Sequence, residues 1–171
     1  HRLNRRQRQM CIRDRYHGVH DYVMFSTASS PISAMGSRTS PIPVQVGSGI
    51  PSKIREYVYC LPFNDFDAVE QCLNDHHGEI AALLVEPCLG NIVGIEPKDG
   101  FLQHLRNLCD KYNVVLIFDE VKTGFRLSNG GARETYEVIP DISTYAKSLG
   151  NGVPVAAFGG KSEVMNVIGG G

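Results

Sequence analysis

Two short stretches hold the side chains best suited to chemistry. In VVLIFDEVKTGF, Val114 to Phe125, five apolar residues run into the carboxylates Asp119 and Glu120. In STYAKSLGNG, Ser143 to Gly152, Lys147 follows a short apolar stretch and precedes glycines that let backbone approach a ligand. A carboxylate at the end of a buried strand is costly unless a cation meets it. Two cations suit: the magnesium ion of a triphosphatase, or the protonated ring nitrogen of a pyridine cofactor.

The magnesium reading needs a phosphate loop, G-x-x-x-x-G-K-[ST], whose amides cradle phosphates. The chain has GGKS at Gly159 to Ser162, but Val155 stands where the first glycine is required, and the stretch follows the acid instead of preceding it. GGKS therefore reads as a strand end running into a helix with a solvated lysine. The cofactor reading asks for a lysine that condenses with an aldehyde, a carboxylate beside the pyridine nitrogen and a flat or branched side chain against the ring. It also asks for a donor to the phenolic oxygen and for backbone amides around a phosphate. Lys147 and Asp119 fit the first two roles, and Val121, two residues on, can pack beneath the ring.

The elements that must position these groups are legible as periods. EIAALLVEP and VVLIFDE are apolar throughout, as strands of a covered parallel sheet are. The first leads into Glu86 and the second ends at Asp119 and Glu120. NDFDAVEQCLNDHHG predicts a helix capped by Asn64 or Asp65 and stopped at Gly78. PKDGFLQHLRNLCDKYN predicts another, with Phe101, Leu105, Leu108 and Tyr112 at helical spacing. DYVMFST, EYVYCLPF and VPVAAFGG read as further strands, and KSEVMNVI as a helix start. The alternation predicts an α/β chain, a three-layer αβα fold with a mostly parallel sheet and its ligand beyond the carboxyl ends of the strands. Ala28 to Ser52, rich in Ser, Gly and Pro, reads as a binding loop or lid. The first fifteen residues carry six arginines and no period. They read as a foreign or disordered segment, with the domain beginning at Tyr16.

Composition narrows the class. Apolar residues at 42% argue against a disordered chain, and a net charge of −1 gives no reason to expect nucleic acid or an acidic membrane surface. No apolar run approaches a membrane span, and no signal peptide is evident. Five cysteines without a C-x-x-C pair read as reduced thiols of a cytoplasmic protein, with no metal framework; His76 and His77 read as surface residues.

Four motifs in this order, YHG, VEPCLGN, IFDEVKTGFR and YAKSLGNGVPVAAFGG, resemble the class III aminotransferases of pyridoxal phosphate fold type I. Within that family the likeness points to glutamate-1-semialdehyde 2,1-aminomutase and its relatives, and it covers Tyr16 to the C-terminal end. The resemblance implies pyridoxal 5′-phosphate as cofactor, with Lys147 holding it and later moving a proton, and Asp119 partnering the ring nitrogen. It implies that Tyr16 stacks on the ring with His17 beside it, that Glu86 lines the pocket and that Asn91 donates to the phenolic oxygen. Arg126 would support the strand end, and Glu120 would be a structural acid. Lys122 departs from the apolar residue many relatives carry, and either tunes the pocket or is solvated.

A small amino acid or amino aldehyde substrate and a homodimer follow from the same resemblance. The Ala28 to Ser52 segment matches the aminomutase lid and tips the expectation towards intramolecular amino transfer. An intermolecular transaminase is the alternative, and a chain using the fold only for assembly is a further one. The family's Ser-Gly-Thr phosphate loop would precede Tyr16, and the partner's threonine and the small domain would follow Gly171. Residues 16–171 are then part of a large domain, expected to bind cofactor poorly by themselves.

Overall fold

The two all-apolar stretches become neighbouring parallel strands. The computed structural model describes residues 8–12, 16–27, 29–90 and 94–168. Its strands are β1 (Arg8–Ile12), β2 (Val58–Leu61), β3 (Ile80–Val85), β4 (Val115–Asp119), β5 (Ile142–Tyr145) and β6 (Ala157–Gly160). Its helices are α1 (Phe66–Asp75), α2 (Phe101–Tyr112), α3 (Ala132–Thr135) and α4 (Ser162–Met165). The sheet order is β2-β1-β3-β4-β5-β6, parallel from β2 to β5, with β6 antiparallel on β5. This is the mostly parallel α/β sheet that the alternation predicts.

Strand alternation sorts the side chains. Leu83, Val85, Leu116 and Phe118 face the helices, where Val69 and Leu73 of α1 and Phe101, Leu105 and Leu108 of α2 complete the larger core. Phe101 and Leu105 are fully buried, each worth about 2 kcal/mol of transfer from water. Val58, Cys60 and Leu84 face the other way and meet Phe25, with Tyr22, Ile50, Ile54 and Ile117 around them. That second face is covered by the irregular chain between Tyr22 and Ile54. Asp119, two residues beyond Ile117, points to this irregular side.

Local chemistry explains the boundaries. Asp65 caps α1, its side chain accepting from the Ala68 amide at 3.1 Å. Asn64 bonds elsewhere, to the chain ahead of α2. Its side-chain amide donates to the Glu96 carbonyl at 3.0 Å, and its oxygen accepts from the Lys98 amide at 2.8 Å. α2 closes on Asn113 in the left-handed region, φ 55°.

Two expectations change, and one strand is added. DYVMFST is not a strand: Asp21–Val23 is a 3-10 turn, and only Phe25 bridges to Gln45. Ser26, at φ 48°, turns the chain and exchanges bonds with Val44, which stops an extended run. A strand also lies inside the first fifteen residues, where composition predicts no element: Arg8–Ile12 pairs with both β2 and β3. Finally, Ile142–Tyr145 is a strand ahead of Lys147, although it is short and carries Ser143 and Thr144.

The segment read as a lid is tied down at two places. Val46 donates to the Met24 carbonyl at 3.1 Å near its base. Farther out, the Arg38 guanidinium grips Asp65 through Nε and through Nη2 at 2.7 Å, and reaches Asp67 at 3.2 Å. Arg38→Met is expected to increase nicking between Ser29 and Ser52 by a broad-specificity protease severalfold, with α1 intact because Asp65 still caps Ala68. Nicking at the wild-type rate would show that this ion pair does not restrain the segment.

Candidate active site

Parallel strands that end together make a shallow site at their carboxyl ends. Asp119 ends β4 opposite Thr144 of β5, three residues before Lys147. Glu86 follows the last residue of β3, whose register sets Val85 opposite Phe118. The chain from Tyr16 to Gly18 reaches this end as well, because His17 meets Asp119.

Asp119 is 6% exposed. Its Oδ2 lies 2.6 Å from His17 Nδ1, and its Oδ1 accepts the Val121 amide at 3.1 Å and the Thr144 hydroxyl at 3.5 Å. Burial alone would push this carboxyl up. The His17 bond and charge, the Val121 amide and the Lys147 charge outweigh it and hold Asp119 below the usual aspartate range. The result is an ionised carboxylate in a nearly dry setting, which is what a protonated ring nitrogen needs beside it. The His17 side chain is 4% exposed. Its Nε2 is buried with no hydrogen-bond partner among the described residues. Tyr16, next to it, is 52% exposed at the rim.

Lys147 lies in a turn whose bonds are local: its carbonyl accepts from the Gly150 amide at 3.1 Å and the Asn151 amide at 2.9 Å. The residue itself takes φ 41°, a left-handed conformation, and its side chain is exposed. The neighbouring Ser148 hydroxyl accepts from Arg126 Nε at 2.5 Å. Arg126 therefore braces the lysine turn from the loop after β4, in keeping with a supporting role.

Glu86 is 3% exposed, and its Oε2 accepts the Gly90 amide at 2.9 Å. That bond closes the turn from Glu86 to Gly90. Lys122 is half-buried, and its methylenes cross directly over Gly90, where a Cβ would collide with them. Glycine at 90 is thus the condition for that crossing. Asn91 lies outside the described residues. Val121 is half-buried and contributes its amide to Asp119.

The GGKS stretch is disposed of by register. Gly160 pairs with Ile142 at the start of β5, whereas Asp119 pairs with Thr144 towards its end. Lys161 binds Asp141 at 2.7 Å at the opposite end of the sheet from Asp119. The two halves of a magnesium–phosphate site are therefore not brought together, and Lys161 is an exposed lysine that also pairs with Asp141. Thr144, Ser148 and the His17–Asp119 bond were not evident from spacing. Thr144 could have been found by pairing the two strand ends; the His17 contact spans 102 residues and has no local signal.

Comparison with known proteins agrees with this geometry. The family model for aminotransferase class-III matches residues 1–171. The glutamate-1-semialdehyde 2,1-aminomutase of Methanocaldococcus jannaschii is 44% identical over 150 residues, 88% of this chain and 33% of that protein. The chain thus spans about a third of the length of that relative. An omega-transaminase from Sphaerobacter thermophilus superposes with a TM-score of 0.87 at 36% identity, over 95% of this chain and 36% of that one. A transaminase with PLP bound superposes with a TM-score of 0.80 at 27% identity, over 95% and 36% of the respective chains. The carboxylate and lysine at adjoining strand ends thus sit on a matching fold, and the match runs the length of the sequence: the chain belongs to the class III aminotransferase family.

Proposed function

We propose that this chain carries the covalent and ring-nitrogen machinery of pyridoxal-phosphate-dependent amino-group transfer, in the intramolecular manner of glutamate-1-semialdehyde 2,1-aminomutase. The grouping that carries this reading is Asp119, bonded to His17, with the Lys147 charge beside it. Pyridoxal 5′-phosphate would be held by Lys147 at its aldehyde and by Asp119 at its ring nitrogen. Val121 and Tyr16 would flank the ring, and His17, Glu86 and Asn91 would complete the cofactor pocket. The fit is supported by an ionised, nearly dry carboxylate and by a buried His17 Nε2 without a partner among the described residues. When bound, the cofactor supplies an electron sink for charge left on a substrate carbon.

The chain's own groups supply the rest. Asp119 keeps a proton on its partner nitrogen by remaining ionised. Lys147 takes a proton from the substrate carbon and returns it elsewhere. The Ala28 to Ser52 segment would serve as the lid, which would suit a reaction whose intermediate must not escape. Substrates on this reading are small amino acids or amino aldehydes, in a cytoplasmic enzyme. A homodimer is supported by exposed apolar residues beyond the lysine turn, among them Val153 and Phe158.

The test is borohydride reduction of the protein, at its natural length, after incubation with pyridoxal phosphate. A pyridoxyl group on Lys147 is expected; a label confined to Lys122 or Lys161, or none, sinks the assignment. An intermolecular transaminase is the second reading, favoured by the TM-score of 0.87 to an omega-transaminase. Turnover of an amino aldehyde without any keto acid supports the intramolecular mode, and strict dependence on a keto acid supports the other.

His17→Phe keeps the ring bulk and removes the charge-assisted bond. A bond to a charged group is worth about 2 kcal/mol, so kcat/KM should fall roughly tenfold or more. Losing that bond lets the Asp119 carboxyl rise, so the acid limb of the pH–rate profile should move to higher pH. An unmoved limb would show that His17 does not set the charge of Asp119.

A further inference from the structure

We propose that Glu120 is a positioning residue for amino-group transfer: its buried carboxylate closes the 121–131 loop and thereby sets Asp119 and the Lys147 turn in place. This assignment rests on the amino-transfer reading of the site. Successive strand residues face opposite sides, so Glu120 points away from Asp119 and beneath the loop that follows. It is 0% exposed. Its Oε2 accepts the Ala132 amide at 2.6 Å and the Thr123 hydroxyl at 3.2 Å, gripping the loop at both ends. Gly131, at φ 68°, makes room for that oxygen; a Cβ there would overlap it. The Glu120 backbone works in the same direction. Its amide donates to the Thr144 carbonyl at 3.0 Å, and its carbonyl accepts from Gly124 at 2.8 Å.

The loop so held touches both halves of the site. Val121 donates its amide to Asp119. Arg126 donates to Ser148 beside Lys147, and the Phe125 ring lies 5.6 Å from that of Tyr145. The other oxygen of Glu120, Oε1, is buried without a partner among the described residues. Burial pushes this carboxyl up, against the Ala132, Thr123 and Arg133 interactions. An apolar side chain of similar size would fill the space but leave the Ala132 amide without this acceptor. It could not bind Thr123 and Ala132 at once.

The test compares Glu120→Ala, Glu120→Gln, Thr123→Val and Arg126→Met in the protein at its natural length. Amide hydrogen exchange is followed at Val121 and Ala132 without cofactor, and kcat, KM and borohydride fixation on Lys147 with it. Glu120→Ala should speed exchange in the loop and lower kcat, each roughly tenfold or more, with KM within about threefold. Glu120→Gln, which keeps an oxygen for Ala132, should recover most of both. Thr123→Val should give a smaller change of the same sign, and it decides the matter if Glu120→Ala does not fold. Because both side chains act through one loop, Glu120→Ala combined with Arg126→Met should be little worse than Glu120→Ala alone. Unchanged exchange and kcat, or effects that simply multiply, overturn the assignment while wild-type Lys147 still takes the label. An unlabelled wild-type Lys147 overturns the amino-transfer reading itself, and with it the purpose given to Glu120.

Discussion

Lys147→Ala is expected to abolish covalent retention of pyridoxal phosphate and to lower amino-group transfer by about four orders of magnitude. Proton transfer by a placed side chain contributes about a hundred- to ten-thousandfold, and losing covalent attachment adds to it. The variant should fold. The side chain is exposed, and the turn is held by the lysine's own carbonyl, bonded to Gly150 and Asn151. The φ of 41° burdens alanine no more than lysine. Lys147→Arg sharpens the test. It keeps the positive charge that helps hold Asp119 below the usual aspartate range, but cannot make the carbon–nitrogen link. If the lysine served only as a charge, arginine would restore most of the rate. Lys147→Arg should instead be as inactive as Lys147→Ala while binding cofactor more tightly. Retention of more than a hundredth of the wild-type rate by Lys147→Ala would end the assignment.

The sequence discloses the groups that lie on long apolar or helical runs, because burial imposes a period there. β3 and β4, with Glu86 following one and Asp119 ending the other, were legible for that reason. So were α1 and α2, whose buried residues recur at helical spacing. β5 was not, since a four-residue strand bearing Ser143 and Thr144 has too few apolar positions to show a period. Contacts across long separations left no trace either. His17 reaches Asp119 over 102 residues and Arg38 reaches Asp65 over 27, and neither pairing follows from composition. Glu86 shows a different limit. Its position at a strand end suggests the pocket, whereas the bond its Oε2 accepts from a backbone amide four residues on is set by turn geometry and leaves no mark in the spacing.

The largest expected effect on stability lies at the far end of the sheet, at Asp141. Its carboxylate joins three elements: Oδ2 accepts from Arg106 of α2 at 2.9 Å and from the Leu116 amide of β4 at 2.7 Å, and Oδ1 meets Lys161, before α4, at 2.7 Å. Asp141→Asn keeps the volume and an acceptor for Leu116 but strands the Arg106 charge, which is 8% exposed. Removing one partner of a buried pair costs about 3–5 kcal/mol. The lower end, about 3 kcal/mol, is expected, because Lys161 can turn to water and Asp110 remains bonded to Arg106 at 2.7 Å. Burial pushes Asp141 up, but Lys161, the Leu116 amide and Arg106 together hold it below the usual aspartate range. A carboxyl depressed in the folded state stabilises above its unfolded value, near 3.9, and that contribution is lost as pH falls through the folded value. The gap in urea midpoint between wild type and Asp141→Asn should therefore be full at pH 7 and narrow steadily below about pH 4. A gap that persists unchanged into acid would mean that the loss comes from packing and not from the charge of Asp141.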